Sequence, residues 1–136
     1  MSVATASTSQ ETNRKLTMMI CDDSNIIRRK IERELKIDNL EVVATAANGR
    51  IAVDTFKKQP VDVVTMDITM PEMDGIECVE KLVQIKPDVL ILVISALSDK
   101  ATAIEALRNG ANGFLCKPFT DRQLTEALAE LLRGAQ

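Results

Sequence analysis

The sequence predicts a doubly wound α/β domain of the (βα)5 kind, with a five-stranded parallel sheet in the strand order 2-1-3-4-5. Three observations carry this reading. Five short apolar runs alternate with five segments of helical period, a pattern that calls for a parallel sheet covered on both faces by right-handed crossovers. The runs are almost continuously apolar, as strands buried on both faces must be. Four of them end in residues able to do chemistry, and the carboxyl ends of parallel strands share one edge, where such sheets bind ligands.

The first run, Leu16-Thr17-Met18-Met19-Ile20-Cys21, ends in Asp22-Asp23. Ser24 is then placed to cap a helix in which Ile27, Ile31 and Leu35 recur at i, i+4 and i+8, with Arg28, Arg29, Glu32 and Lys36 on the polar face. Leu40 to Ala46 is the second run, followed by a helix from about Gly49 to Lys58 that turns Ala52, Val53 and Phe56 inward and stops before Pro60. Val61 to Met66 delivers Asp67 into the loop Asp67-Ile68-Thr69-Met70-Pro71-Glu72-Met73-Asp74-Gly75. A helix from about Ile76 to Ile85 follows, with Val79, Leu82 and Val83 inward and Pro87 beyond its end. Val89 to Ile94 ends in Ser95, and the next helix is expected to start at Ser98, carry Ala103, Ile104 and Leu107 inward and stop at Asn109-Gly110. Gly113-Phe114-Leu115-Cys116 ends in Lys117-Pro118; the last helix opens with the capping box Thr120-x-x-Gln123 and repeats Leu124, Leu128 and Leu131.

A chain of 136 residues, 46% hydrophobic and 27% charged, is the size of one ordinary domain with its own core. The net charge of −3, with Lys and Arg scattered among acids, argues against a nucleic-acid binder and favours a protein partner or a small ligand. No apolar run reaches the roughly 20 residues that span a bilayer, and the Ser-, Thr- and Ala-rich start has no apolar signal core. The expected location is cytoplasmic, with residues 1–14 a disordered tail and 15–136 the folded domain. Cys21, Cys78 and Cys116 are odd in number, in apolar contexts and without C-x-x-C spacing, so reduced thiols packed as small hydrophobes are expected. The chain has no His, so chemistry falls to carboxylates, Lys117, hydroxyls or a bound metal.

In the order 2-1-3-4-5 the first and third strands are neighbours at the switch point, which sets Asp22-Asp23 beside Asp67. Ser95 and Lys117 arrive at the same edge. Two ionised carboxylates ~5 Å apart repel by roughly 3 kcal/mol at an effective dielectric of about 20. A cluster of three therefore invites a divalent cation, and Mg²⁺ favours such oxygen ligands. The set suits a cation together with a phosphoryl group.

These residues carry a resemblance. Asp22-Asp23, the Asp67–Gly75 segment with its Met-Pro and Asp-Gly, Ser95-Ala96, Phe114 and Lys117-Pro118 stand in the order found in the receiver domains of two-component response regulators, and the match spans about residues 15 to 134. The chain resembles a stand-alone receiver with the flavodoxin-like fold. The resemblance implies that Asp67 is the phosphoacceptor, taking its phosphoryl group from a histidine kinase or histidine phosphotransfer protein. It implies that Asp23 and Asp67 bind Mg²⁺ (or Mn²⁺) directly, with Asp22 acting mostly through water and the Thr69 carbonyl completing the ligands. Lys117, at a cis bond to Pro118, and Ser95 would contact the phosphoryl group, while the small Ala96 leaves it room. Phe114 matches the switch aromatic, and the fourth helix, fifth strand and fifth helix form the face read by a downstream protein. Thr69 and Leu97 would flank the path of the hydrolytic water. No multiple-turnover activity is implied. Two alternatives stay open: a receiver-like module that binds without phosphorylation, and a haloacid-dehalogenase-like phosphatase, whose pattern puts a second Asp two residues after the nucleophile, where this chain has Thr69.

Overall fold

The computed structural model of the protein describes residues 15–35, 37–70, 73–96 and 100–134. The expected tail at 1–14, Lys36, Leu97 and the expected helix start at Ser98 lie outside them. Five strands, β1 (Leu16–Cys21), β2 (Leu40–Ala46), β3 (Val63–Met66), β4 (Leu90–Ser95) and β5 (Gly113–Cys116), alternate with helices α1 (Asn25–Glu34), α2 (Gly49–Lys58), α3 (Gly75–Ile85), α4 (Lys100–Arg108) and α5 (Asp121–Gly134). The sheet is wholly parallel in the order β2-β1-β3-β4-β5, as the alternation predicts.

Strand periodicity divides the apolar side chains between two cores. On one face Met19, Cys21, Val64, Met66, Ile91 and Val93 meet Ala52, Val53 and Phe56 of α2, Cys78, Val79 and Leu82 of α3 and Ala106 of α4. On the other, Met18, Ile20, Val63, Leu92 and Ile94 meet Ile31 of α1 and Leu124, Leu128 and Leu131 of α5. Register locks the central strands together, with Cys21 opposite Met66 and Met66 opposite Val93, so their carboxyl ends finish level. No described helix is long and apolar enough to cross a membrane.

Local chemistry sets the element ends. Ser24, Asn48 and Asp74 each accept a hydrogen bond from a backbone N–H three residues on, capping α1, α2 and α3. Thr120 and Gln123 form both bonds of the capping box, at 2.9 and 3.0 Å. The third strand begins at Val63, two residues later than the apolar run; just before it the Asp62 main chain bonds Thr17 and Leu90, each at 3.0 Å, and its carboxylate takes the Thr17 N–H and hydroxyl at 2.9 and 3.2 Å. The fourth is displaced by one residue and includes Ser95.

Two expectations are corrected. Ile104 and Leu107 do not face the core: they are 43% and 47% exposed, and the fully buried side chain of α4 is Ala106. Nearly all positions of this short helix other than its charged ones are apolar, so periodicity cannot choose its inner face, and the small side chain is the one turned to the sheet. Cys21 and Cys78 are buried as expected, but Cys116 is exposed at the end of β5, which among the described residues pairs only with β4, at the sheet edge.

Leu124→Ala is expected to cost about 2–5 kcal/mol in urea unfolding, while Ile104→Ala and Leu107→Ala stay within about 0.5 kcal/mol of wild type. Burial lifts the Cys21 thiol well above its ordinary range and that of Cys78 to about 12. An aromatic disulfide reagent at neutral pH is therefore expected to titrate Cys116 rapidly in the native protein, and all three thiols only after unfolding.

Candidate functional site

The site is built where β1, β3 and β5 end. Asp67 N–H donates to the Cys21 carbonyl at 2.9 Å and Asp22 N–H to the Ala46 carbonyl at 3.0 Å, extending the ladder one rung past the strands. Asp22 and Asp67 are thereby buried side by side, 1% and 2% exposed, with Asp23 exposed beside them. One carboxylate oxygen from each of the three lies within 4.8 Å of the others. Lys117 Nζ reaches into this cluster, 2.7 Å from Asp22 Oδ2 and 3.4 Å from Asp67 Oδ2. The Lys117–Pro118 bond is cis, as the resemblance implies, and Lys117 N–H donates to the Ser95 carbonyl at 2.9 Å.

Each oxygen of the two buried carboxylates has a donor. Asp22 Oδ1 accepts the Ser24 N–H at 2.9 Å, and Asp67 Oδ1 accepts both the N–H and the hydroxyl of Thr69, at 3.1 and 3.0 Å. Burial raises the pKa of Asp22; Lys117 and the Ser24 N–H oppose that shift and the Asp67 charge adds to it. For Lys117, burial alone would lower the pKa, but the bonds and charges of Asp22 and Asp67 outweigh it and the net shift is upward. Lys117 is thus a cation at neutral pH, shared unequally between two carboxylates and closer to Asp22. Three carboxylates offering hard oxygen donors at this spacing fit a small divalent cation.

Of the residues singled out from the sequence, Asp22, Asp23, Asp67, Thr69 and Lys117 come together. Ser95, completely buried, ends β4 and is tied to Lys117 through its carbonyl. Ala96 is exposed one residue further on, and Phe114 is half-buried against the core under α2, α3 and α4.

Three contributors have no site role of their own in the sequence reading. Arg28, placed there only on a polar helix face, donates from Nη1 to the Asp22 carbonyl at 2.6 Å and from Nη2 to Asn25 Oδ1 at 3.1 Å, strapping the acidic turn to α1. Gly75 and Gly49 hold the Asp67 loop at close quarters. A Cβ on Gly75 would stand 2.4 Å from Ile68 Cα and 2.5 Å from the Asp67 carbonyl oxygen, and one on Gly49 would stand 2.5 Å from the Met73 carbonyl oxygen. The signal was present: Asn48-Gly49 and Asp74-Gly75 are both cap-then-glycine pairs at a helix start.

Residues 18–129 match the family model described as the response regulator receiver domain. The chemotaxis protein CheY of Thermotoga maritima is 40% identical over 111 residues, 82% of this chain and 92% of that protein. CheY of Bacillus subtilis is 40% identical over 115 residues, 85% and 96% of the two chains. Among solved structures, the CheX-CheY-BeF3-Mg+2 complex from Borrelia burgdorferi contains a chain that superposes with a TM-score of 0.84 at 28% identity, covering 90% of this chain and 92% of that one.

Because the folded-state pKa of Asp22 lies above its ordinary value of 3.8, its contribution to stability is complete below 3.8 and is lost as pH rises through the folded pKa. In urea unfolding with a chelator, wild type is therefore expected to lose stability relative to Asp22→Asn as pH rises above about 4. A gap that is flat or widens in favour of wild type would contradict this.

Proposed function

The chain belongs to the response regulator receiver domain family, as a domain of CheY type, and from that premise we propose that it is a phosphorylation-controlled switch. Asp67 accepts a phosphoryl group from a phosphohistidine of a sensor kinase or phosphotransfer protein, and a partner protein reads the altered surface. The observation that carries this reading is the setting of Asp67: buried at the carboxyl edge of the sheet, with one oxygen anchored by Thr69 and the other 3.4 Å from the Lys117 ammonium.

In this reading an Asp67 carboxylate oxygen attacks phosphorus in line. The bond from phosphorus to the donor's imidazole nitrogen breaks, the electron pair stays on the imidazole, and an acyl phosphate is formed. Lys117 holds a second site on the Asp67 carboxylate and is near enough to transfer its pairing to a phosphoryl oxygen. Asp22, whose Oδ2 pairs with Lys117 at 2.7 Å against 3.4 Å for Asp67, would act on a metal mostly through water. Asp23 and Asp67 would be the direct carboxylate ligands, with the Thr69 carbonyl. A bound Mg²⁺, or Mn²⁺, supplies charge neutralisation for the phosphoryl oxygens. Ser95 would donate its hydroxyl to the phosphoryl group beside the small Ala96, with Phe114 repacking as it moves. The face of α4, β5 and α5 would change with them, and a partner selecting that conformer shifts the population. The cycle is one phosphorylation and one hydrolysis per protein, so the chain acts as a switch and not as a multiple-turnover catalyst.

Intact mass after incubation with acetyl phosphate is expected to show one added phosphoryl group, lost on adding a chelator and absent from Asp67→Asn. Lys117→Met is expected to lower the yield or slow the reaction while leaving the fold intact. No addition under any condition would turn the assignment to a receiver-like module that binds without phosphorylation, and multiple turnovers on phosphomonoesters would turn it to a phosphatase.

A further inference from the structure

The helices α2 and α3 leave between them a groove of about 260 Å³ whose apolar lining is Val53, Met73 and Ile85. Arg50, Lys57 and Lys81 line it, against a single carboxylate, Asp54; Gln84 completes the polar rim. This local excess of positive charge stands out in a chain of net charge −3.

Helix electrostatics account for only part of it. Lys57 lies in the last turn of α2, where a cation suits the helix dipole. Arg50 lies in the first turn, the wrong end for a cation, and no acid accompanies it there. Lys81 follows Glu77 by four residues, the favoured order for an ion pair within a helix. Among the described residues that pair is not formed, and no carboxylate lies within 4.0 Å of the charged nitrogens of Arg50, Lys57 or Lys81. Three cations therefore face one groove against a single carboxylate, none of them in an ion pair within 4.0 Å among the described residues.

Size narrows the occupant. Small-molecule sites run to roughly 300–1,000 Å³, so this groove is below that range and suits a single large apolar side chain presented by a larger partner. We propose that the α2–α3 groove is a docking site for an acidic protein segment that seats one large apolar side chain on Val53, Met73 and Ile85 while its carboxylates meet Arg50, Lys57 and Lys81. None of the lining residues belongs to α4, β5 or α5, and docking there does not require phosphorylation of Asp67. The groove nonetheless touches the phosphoacceptor loop, because Met73 belongs to the segment between β3 and α3 and its carbonyl abuts Gly49.

The test is an amide-resolved NMR titration of the full ¹⁵N-labelled chain with a capped helical peptide of about twelve residues made of glutamate and leucine, with leucines on one face. Parallel arms use the same peptide with lysine for glutamate, with serine for leucine, and a single-stranded oligonucleotide. The glutamate–leucine peptide is expected to shift amides of α2, α3 and Met73, with affinity falling at least tenfold in Lys57→Glu/Lys81→Glu and with added salt. The serine and lysine peptides are expected to bind at least tenfold more weakly. An undisturbed spectrum for the free double variant verifies its fold, and Arg50→Glu, expected to give a similar loss, provides a second variant. Absence of shifts on α2 and α3, equal binding of the lysine peptide or of both variants, or occupancy of the groove by the oligonucleotide would overturn the proposal.

Discussion

The concentration of negative charge at the carboxyl edge of the sheet is the constraint on which the rest of the structure depends. Parallel strands deliver Asp22, Asp23 and Asp67 to the same few ångströms, and at this spacing each ionised pair repels by roughly 3 kcal/mol at an effective dielectric of about 20. The fold meets that repulsion with donors fixed by backbone geometry. Ser24 and Thr69 present N–H groups to the two buried carboxylates, and β5 brings Lys117 between them. Arg28 secures the turn from outside by bonding a carbonyl, so it steadies the acidic segment without neutralising a carboxylate. The result is a carboxylate that is buried and oriented without being sequestered.

Behind this edge the two cores are unequal in how firmly they hold their helices. The α5 side is clamped by three buried leucines, Leu124, Leu128 and Leu131, and α2 and α3 are seated by Phe56, Val79 and Leu82. Helix α4 presents Ala106 to the sheet and leaves Ile104 and Leu107 in solvent. Elements with little buried apolar surface are the ones that move at least cost. The face used by the proposed switch includes α4, so its most weakly anchored helix lies beside the firmly held α5.

The fold and most of the site were legible because they rest on patterns of short range. Strand and helix periods differ by enough to separate ten elements, and a parallel sheet sends the end of every strand to one edge, so Asp22, Asp67 and Lys117 could be brought together before any coordinates. The resemblance to receivers added roles to residues that geometry alone could only gather. What escaped notice depended on the third dimension in finer detail. The inner face of α4 could not be chosen from a sequence in which small and large apolar residues alternate. Asp62 looked like a plain strand residue, whereas its carboxylate also clasps the Thr17 N–H and hydroxyl. Cys116 ends an apolar run yet reaches solvent: the predicted strand order already put β5 at the sheet edge, but the apolar context of the residue outweighed that position. The bond from Arg28 to a carbonyl six residues earlier was invisible to a reading based on helix faces.

The two glycines at the starts of α2 and α3 bear on how movement at the site can spread. Gly75 meets the backbone of Asp67 and Ile68, and Gly49 meets that of Met73, in each case closer than any side chain would permit. The loop is therefore seated against two helix ends with no compressible material in between. A displacement of the Asp67 main chain towards either contact cannot be absorbed by a rotamer change, because there is no rotamer to change. It must be transmitted as a translation of the helix end or refused altogether, which makes the junction behave less like a spring than like a gear tooth.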